Sequence, residues 1–391
     1  MRRNSVLAVI LLGASCGGQV LFPSQTNANE TLPAVATEWT QYGFVPTHTS
    51  FNAHETILAR GNVAGLTWRW AGEVGTSFAS SAVVGHDIVY VAADGMIFAF
   101  QAGDGKELWS HLSCSGVGTV QAALGATVLM VGDAGGDLAA YDPVTGDQIW
   151  CNDESGSITS APAVKEGTVY ITNGSDVVAI DQLTGAQHWR FTPADFSAVT
   201  NTPAIGLGIV YVTGGNSVFA LNNTDGHLLW RANLSPQSNI SAPSVAGETV
   251  YVGGTNLFAL DASTGRRRWV QRIVGANVSM PTIAYGKVFV NSQDPGFGLW
   301  AFDAITGAFL WRRAAPPEEP ESTVTVANGV VYDINDDGTL MMFNTTTGSL
   351  LGSIADPHGH RFSSLFGDQA AVVNGTVYIP AENRIDAFRL P

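Results

Sequence analysis

Seven tryptophans recur at near-constant intervals, at positions 70, 109, 150, 189, 230, 269 and 311. The steps between them are 39, 41, 39, 41, 39 and 42 residues. A sustained period of about 40 residues means a repeat architecture, and it overrides the two or three domains that 391 residues would otherwise suggest. Six of the tryptophans close the same short turn: DGKELW, TGDQIW, TGAQHW, DGHLLW, TGRRRW and TGAFLW. A further turn, TGSLLG, puts Gly352 where the next tryptophan is expected. Apolar runs precede these turns (IFAFQ, LAAYD, VVAID, VFALN, LFALD, LWAFD, LMMFN), and an eighth, IDAFR, lies at 385–389. Before each lies a β-branched and aromatic run such as IVYV, TVYIT or KVFVN, and before that a small-residue run such as TSAPAV or SMPTI.

Four short strands per unit, broken by Gly, Asn, Asp and Thr, are the pattern of a propeller blade. One blade cannot bury both of its faces, so the ring must close. The sequence predicts an all-β, eight-bladed propeller of four-stranded antiparallel blades over 65–391. The last blade is completed by an N-terminal strand, because GLTWRW (65–70) has a fourth strand with nothing before it and IDAFR has a third with nothing after it. Trp70, Trp109, Trp150, Trp189, Trp230, Trp269 and Trp311 are expected to wedge between blades, each indole N–H on a backbone carbonyl. Asp142, Asp181, Asn222, Asp261, Asp303 and Asn344 are expected to accept from the turn amides that follow them. The contact between the last two blades, where Gly352 breaks the scheme, is expected to be the weakest or most altered.

The unit [VI]-Y-V…[LV]-[FY]-A-[LI]-D-x-x-T-G-x-x-x-W resembles the PQQ-like, tryptophan-docking repeat, and the resemblance covers about 325 residues in register. The leader WTQYGFVPTHTSFN (39–52) also resembles the entry segment of such propellers, which implies an extension over 29–64 packing on the ring. The family resemblance implies one of two classes. One comprises quinoprotein dehydrogenases with PQQ and Ca²⁺ at the axis; the other comprises smaller, non-catalytic propellers of the BamB-like kind. The dehydrogenases share an adjacent Cys-Cys pair, and this chain has neither that pair nor a C-x-x-C-H haem site. The shorter class therefore fits better, with no catalytic residue assigned and no cofactor expected; PQQ with calcium is the alternative.

The N-terminus reads as an export signal, with Arg2 and Arg3 before an apolar stretch from Val6 to Ala14. Cleavage after Ala28 gives a signal peptide of 1–28; a lipoprotein-type signal of 1–15 instead leaves Cys16 as the lipidated residue. Either reading predicts an exported protein of the periplasm, envelope or extracellular space. No later run is long enough to span a bilayer. The net charge of −15, with only three lysines, argues against nucleic acid.

Four groups of side chains are candidate sites. Asp333, Asn335 and Asp337 match the first half of a calcium loop, but position twelve is Asn344 where glutamate is expected, and the stretch reads equally as the hairpin between the second and third strands of blade seven, so no metal is assigned. His358 and His360, beside Asp356, have the spacing of a metal pair but no third strong ligand by spacing, and the segment reads otherwise as an exposed polar loop. Cys114 and Cys151, near the outer strands of consecutive blades, are candidates for a disulfide or for two free thiols. Arg266, Arg267, Arg268 and Arg272, with Arg312 and Arg313 one blade on, read as a solvated outer edge or as a partner patch near the acidic run 316–321. The sector 353–370 is the least regular part of the repeat. The reading that follows is a monomeric, non-enzymatic scaffold binding a protein or polysaccharide partner. Its rivals are a quinoprotein oxidoreductase and a carbohydrate-processing propeller.

Overall fold

The computed structural model describes residues 38–154, 156–158, 160–195, 198–234, 240–273, 277–292, 298–314, 322–335, 338–362 and 368–391. The export signal, Cys16 and Asp337 lie outside these residues.

Eight antiparallel sheets follow one another along the chain, at 83–112, 119–153, 163–191, 204–233, 244–271, 282–314, 325–355 and, with the N-terminal strand Thr67–Phe78, at 371–389. We number them blades 1 to 8. The innermost strand of each blade touches that of the next, and blade 8 touches blade 1, so the ring is closed. In blade 8 one continuous stretch, Thr376–Arg389, pairs first with Ala371–Val373 and then with Thr67–Phe78. The two ends of the chain thus share a blade, as the interrupted first and last repeats require.

Neighbouring blades are held by one repeated contact. In blade 4, Trp230 lies across from Ala220 beside a bulge, and its Nε1–H donates to the Ala262 carbonyl of blade 5 at 2.9 Å. The same bond joins Trp70 to Ala102, Trp109 to Pro143, Trp150 to Gln182, Trp189 to Asn223, Trp269 to Ala304 and Trp311 to Thr345, over 3.0–3.3 Å. Tyrosines of the second strands share the acceptor. Tyr90, Tyr170, Tyr211 and Tyr251 donate to the Pro143, Asn223, Ala262 and Ala304 carbonyls, filling both lone pairs of each oxygen. The glycine of the accepting turn has two reasons to be glycine. At Gly265, φ is 68°, and a Cβ would meet the Trp230 ring at 2.5 Å.

Gly352 breaks this series for a topological reason. A docking tryptophan needs the turn between the third and fourth strands of the next blade. In blade 8 that turn does not exist, because those two strands come from opposite ends of the chain. The short 3₁₀ turn Val63–Gly65 stands there instead, and a Cβ on Gly352 would lie 3.1 Å from Ala64 Cα. Leu58, Val63 and Leu66 fill the space with Tyr332, Leu340 and Met342, and all six are buried. The blade 7–8 contact is therefore altered, with leader residues taking the place of the indole. Tyr332 shows the consequence. It is the blade 7 counterpart of the docking tyrosines, it is buried, and its hydroxyl has no partner.

This difference predicts opposite responses to one substitution. Tyr211→Phe removes a buried hydrogen bond and should cost about 1 kcal/mol in chemical denaturation. Tyr332→Phe removes only an unsatisfied hydroxyl and should be neutral or stabilising in the same experiment.

Candidate functional site: the sealed axis

A closed ring of blades leaves the inner edge of every innermost strand facing the axis with unpaired N–H and C=O groups. The leader supplies each innermost strand with at least one hydrogen-bond partner, in order. Trp39 exchanges two backbone bonds with Val84 of blade 1 (2.7 and 2.8 Å), and the Thr40 carbonyl accepts from the Leu124 amide of blade 2. For blade 3 the Gln41 side chain acts as a peptide group, donating from Nε2 to the Val164 carbonyl and accepting its N–H on Oε1. The carbonyls of Pro46, Thr47, Thr49 and Ser50 then accept from Ile205, Val245, Ile283 and Val326 in blades 4 to 7. Phe51–Asn52 adds to blade 7 as a short parallel strand, and Asn52 Nδ2 donates to the Val372 carbonyl of blade 8. Residues 39–52 therefore visit all eight blades once.

The loop between the two halves of this circuit fills the axis. Gly43 permits it: φ is 68°, and a Cβ would lie 2.7 Å from His48 Cα. Tyr42 packs among Ala161, Ala242 and Met280, which stand just before their innermost strands, and its hydroxyl meets Thr323 Oγ1 at 3.1 Å. Burial pushes the Tyr42 phenol up to about 12. His48 lies edge-on to Tyr42 at 5.6 Å and is fully buried. Burial lowers its pKa to about 4, so the imidazole is neutral at pH 7. Ser50 Oγ donates to Gln369 Oε1, and the Gln369 amide donates to Ser81 Oγ.

The candidate metal residues are placed differently from what their spacing suggests. Asp333 sits in the strand Val330–Ile334 and faces blade 6, where its Oδ1 accepts from Asn291 Nδ2 at 2.7 Å. Burial raises its pKa to about 7. Asn335 Oδ1 is buried without a partner. Asp356 is taken up by the His358 and His360 amides and by an ion pair with Arg384, which also pairs with Asp386. Burial opposes ionisation of Asp356, but these amides and Arg384 hold its pKa below the ordinary value. His358 stacks edge-on to Trp68 at 4.8 Å, and Trp68 Nε1 donates to Asp386. At its start the irregular sector thus contributes Asp356 to a buried ion-pair network at the seam of blades 7 and 8. Cys114 and Cys151 are bonded, with Cα atoms 6.4 Å apart. Arg268 pairs with Asp261 and, more loosely, with Glu248 of its own blade. The sequence reading missed the leader's axial role. The signal available for it was a run of fourteen residues, 39–52, with no Asp, Glu, Lys or Arg but many side-chain hydrogen-bonding groups.

Tryptophan-docked repeats closed into eight blades define the PQQ-like propeller class. The chain belongs to the family described as outer membrane protein assembly factor BamB, whose model matches residues 65–213 and 214–389. Its fold is similar to that of BamB from Moraxella catarrhalis, at 16% identity and TM-score 0.68, over 83% of this chain and 99% of that one. It is also similar to the quinohemoprotein alcohol dehydrogenase ADHIIG of Pseudomonas putida HK5, at 15% identity and TM-score 0.75, over 91% and 80%. Among curated relatives, a serine/threonine-protein kinase AfsK of Streptomyces coelicolor is 32% identical over 219 residues, 51% of this chain and 27% of the kinase. The quinohemoprotein alcohol dehydrogenase ADH IIB of Pseudomonas putida is 30% identical over 179 residues, 39% and 26% respectively. The chain thus spans about a quarter of the length of these curated relatives.

The buried groups predict a pH dependence. Between about pH 4 and 7 the folded state holds a proton on Asp333 that the unfolded state has released, so its stabilising share is full below pH 4 and is lost as pH rises through 7. His48 acts oppositely, since only the unfolded state takes up its proton between pH 6.5 and 4, so its share is lost as pH falls through that window. Asp333→Asn keeps the Asn291 bond and removes the first effect. Its stability relative to the parent should rise between pH 4 and 8, by on the order of 3 kcal/mol, in denaturation curves taken across that range.

Proposed function

We propose that this protein is a non-enzymatic binding scaffold of the cell envelope or extracellular space, and that it engages a protein partner through the loops on one face of the ring. The observation that carries this reading is the unequal regularity of the two faces. Links between the third and fourth strands of blades 1 to 7 are five or six residues long throughout, and the leader crosses that same face. On the opposite face, the link from an outermost strand to the next innermost strand is 6 residues between blades 1 and 2 (113–118) and 15 between blades 7 and 8 (356–370). Variable loops on a rigid frame are where binding is carried. The family description, an assembly factor for outer membrane proteins, supports a protein partner over a polymer.

Against the alternative reading, a bound PQQ with calcium, stands the packing of the axis. Tyr42, Ala161, Ala242 and Met280 fill its centre at the innermost strands. Asp333, the candidate calcium ligand, points between blades 6 and 7. No helix among the described residues is long and apolar enough to cross a membrane.

Site-specific photocrosslinking in intact cells tests the proposal. A crosslinker at Val117, exposed in the link between blades 1 and 2, should give a discrete adduct with another protein. Crosslinkers at Leu183 and Ile305, exposed on the opposite turns, should not. Adducts from Leu183 and Ile305 alone would reverse the assignment of faces. Dye-linked dehydrogenase turnover after incubation with PQQ and Ca²⁺ would overturn the non-enzymatic reading.

A further inference from the structure

The disulfide between Cys114 and Cys151 stands beside a carboxylate that a plain covalent staple does not require. Cys151 lies in the outer strand of blade 2, opposite Ala139, and Asp137 is two residues before Ala139 on the paired strand. Asp137 and Cys151 therefore share one face of the sheet. Cys114 reaches the same place from the link after the outer strand of blade 1. The two sulfurs and a carboxylate oxygen of Asp137 all lie within 4.8 Å of one another. Among the described residues no cation and no hydrogen-bond donor reaches the Asp137 carboxylate, whose pKa is raised by desolvation and then by the nearby Asp133 and Asp153. By contrast, Asp133 accepts from Ser113, from the Ser115 amide and from the Asp137 amide. An unpaired carboxylate facing two sulfurs, with further negative charge behind it, is an environment that a cation would stabilise.

We propose that Cys114, Cys151 and Asp137 form a redox-gated site for Zn²⁺, closed to the metal while the disulfide is intact and open when it is reduced. A dithiol reductant delivers two electrons and two protons to the S–S bond and is itself oxidised to a disulfide, leaving two thiols here. Zn²⁺ then displaces both thiol protons and binds two thiolates and one Asp137 oxygen, with water as the fourth ligand. Tetrahedral zinc with Zn–S near 2.3 Å needs sulfurs about 3.7 Å apart. Side-chain rotation supplies that separation when the Cα atoms are 6.4 Å apart. Both cysteines are half-buried against the core of blades 1 and 2, within reach of a small reductant and of metal. A disulfide oxidant reverses the sequence, expelling the metal and restoring the bond between the blades.

The test uses the purified full chain, oxidised or reduced with a dithiol and desalted without air, titrated with Co²⁺ and then Zn²⁺ against a chromophoric chelator. The reduced protein should bind one equivalent, with a thiolate-to-cobalt charge-transfer band that Zn²⁺ abolishes, and the oxidised protein should show neither. Asp137→Asn, which leaves the disulfide in place, should weaken binding by the reduced protein by about tenfold or more. Three outcomes overturn the site: equal metal uptake by oxidised and reduced protein, unchanged affinity in Asp137→Asn, or loss of the β-sheet circular dichroism on reduction before metal is added.

Discussion

The ring rests on a single carbonyl oxygen repeated from seam to seam. At four seams it accepts both an indole N–H and a phenol O–H from the preceding blade, as Ala262 does from Trp230 and Tyr211. Both donors are large rings that bury apolar area while fixing direction, so one contact supplies cohesion and angle together. The accepting glycine must lack a side chain, because the indole lies where its Cβ would be. Three features of the repeat, the Tyr, the Trp and the Thr-Gly turn, are thus parts of one joint, and a substitution at any of them strains the other two.

That joint cannot be made everywhere. A propeller closed by pairing its two chain ends must have one blade whose third and fourth strands are not joined by a turn, and the blade before it has nothing to dock against. Here the leader resolves the conflict. Val63–Gly65 takes the place of the turn, Gly352 makes room for it, and Tyr332 is left with an idle hydroxyl. The same leader bonds to the inner edge of every blade on its way to that seam. One stretch of chain therefore solves the two problems that repetition creates, an unpaired inner rim and a seam without a partner. Its first and last contacts lie on blades 1 and 8, so it also ties the seam where the ring closes.

Much of this was legible in the sequence. The tryptophan spacing carried the blade count, and the unmatched GLTWRW and IDAFR carried the closure, because both follow from counting strands per repeat. Gly352 marked the altered seam. Its cause was not readable, since that depends on which blade lacks its turn and on what lies across from it. The leader was legible as an attached segment but not as an axial circuit. Its bonds use backbone carbonyls at Thr40, Pro46, Thr47, Thr49 and Ser50, and backbone groups leave no signature in residue type. Local spacing offers ligand sets that the regular elements take up in other ways. Asp333 has the spacing of a loop ligand, but it lies in a strand with its carboxyl turned to Asn291. Asp356 beside its two histidines has the look of a metal pair, but Arg384 holds the carboxylate.

The division of labour between the faces constrains where a partner can bind. Sequence on the turn face is committed: each accepting turn must keep its carbonyl, its glycine and its length, or a seam is lost. The leader is committed as well, since moving it would leave buried inner-edge N–H groups unpaired at about 1–3 kcal/mol each. A partner that required either to move would have to supply that cost at several blades together. The links from outer to inner strands are free in length, as their spread from 6 to 15 residues shows. A ring of this kind can change what it binds by altering those links one at a time, without disturbing the joint on which its stability depends.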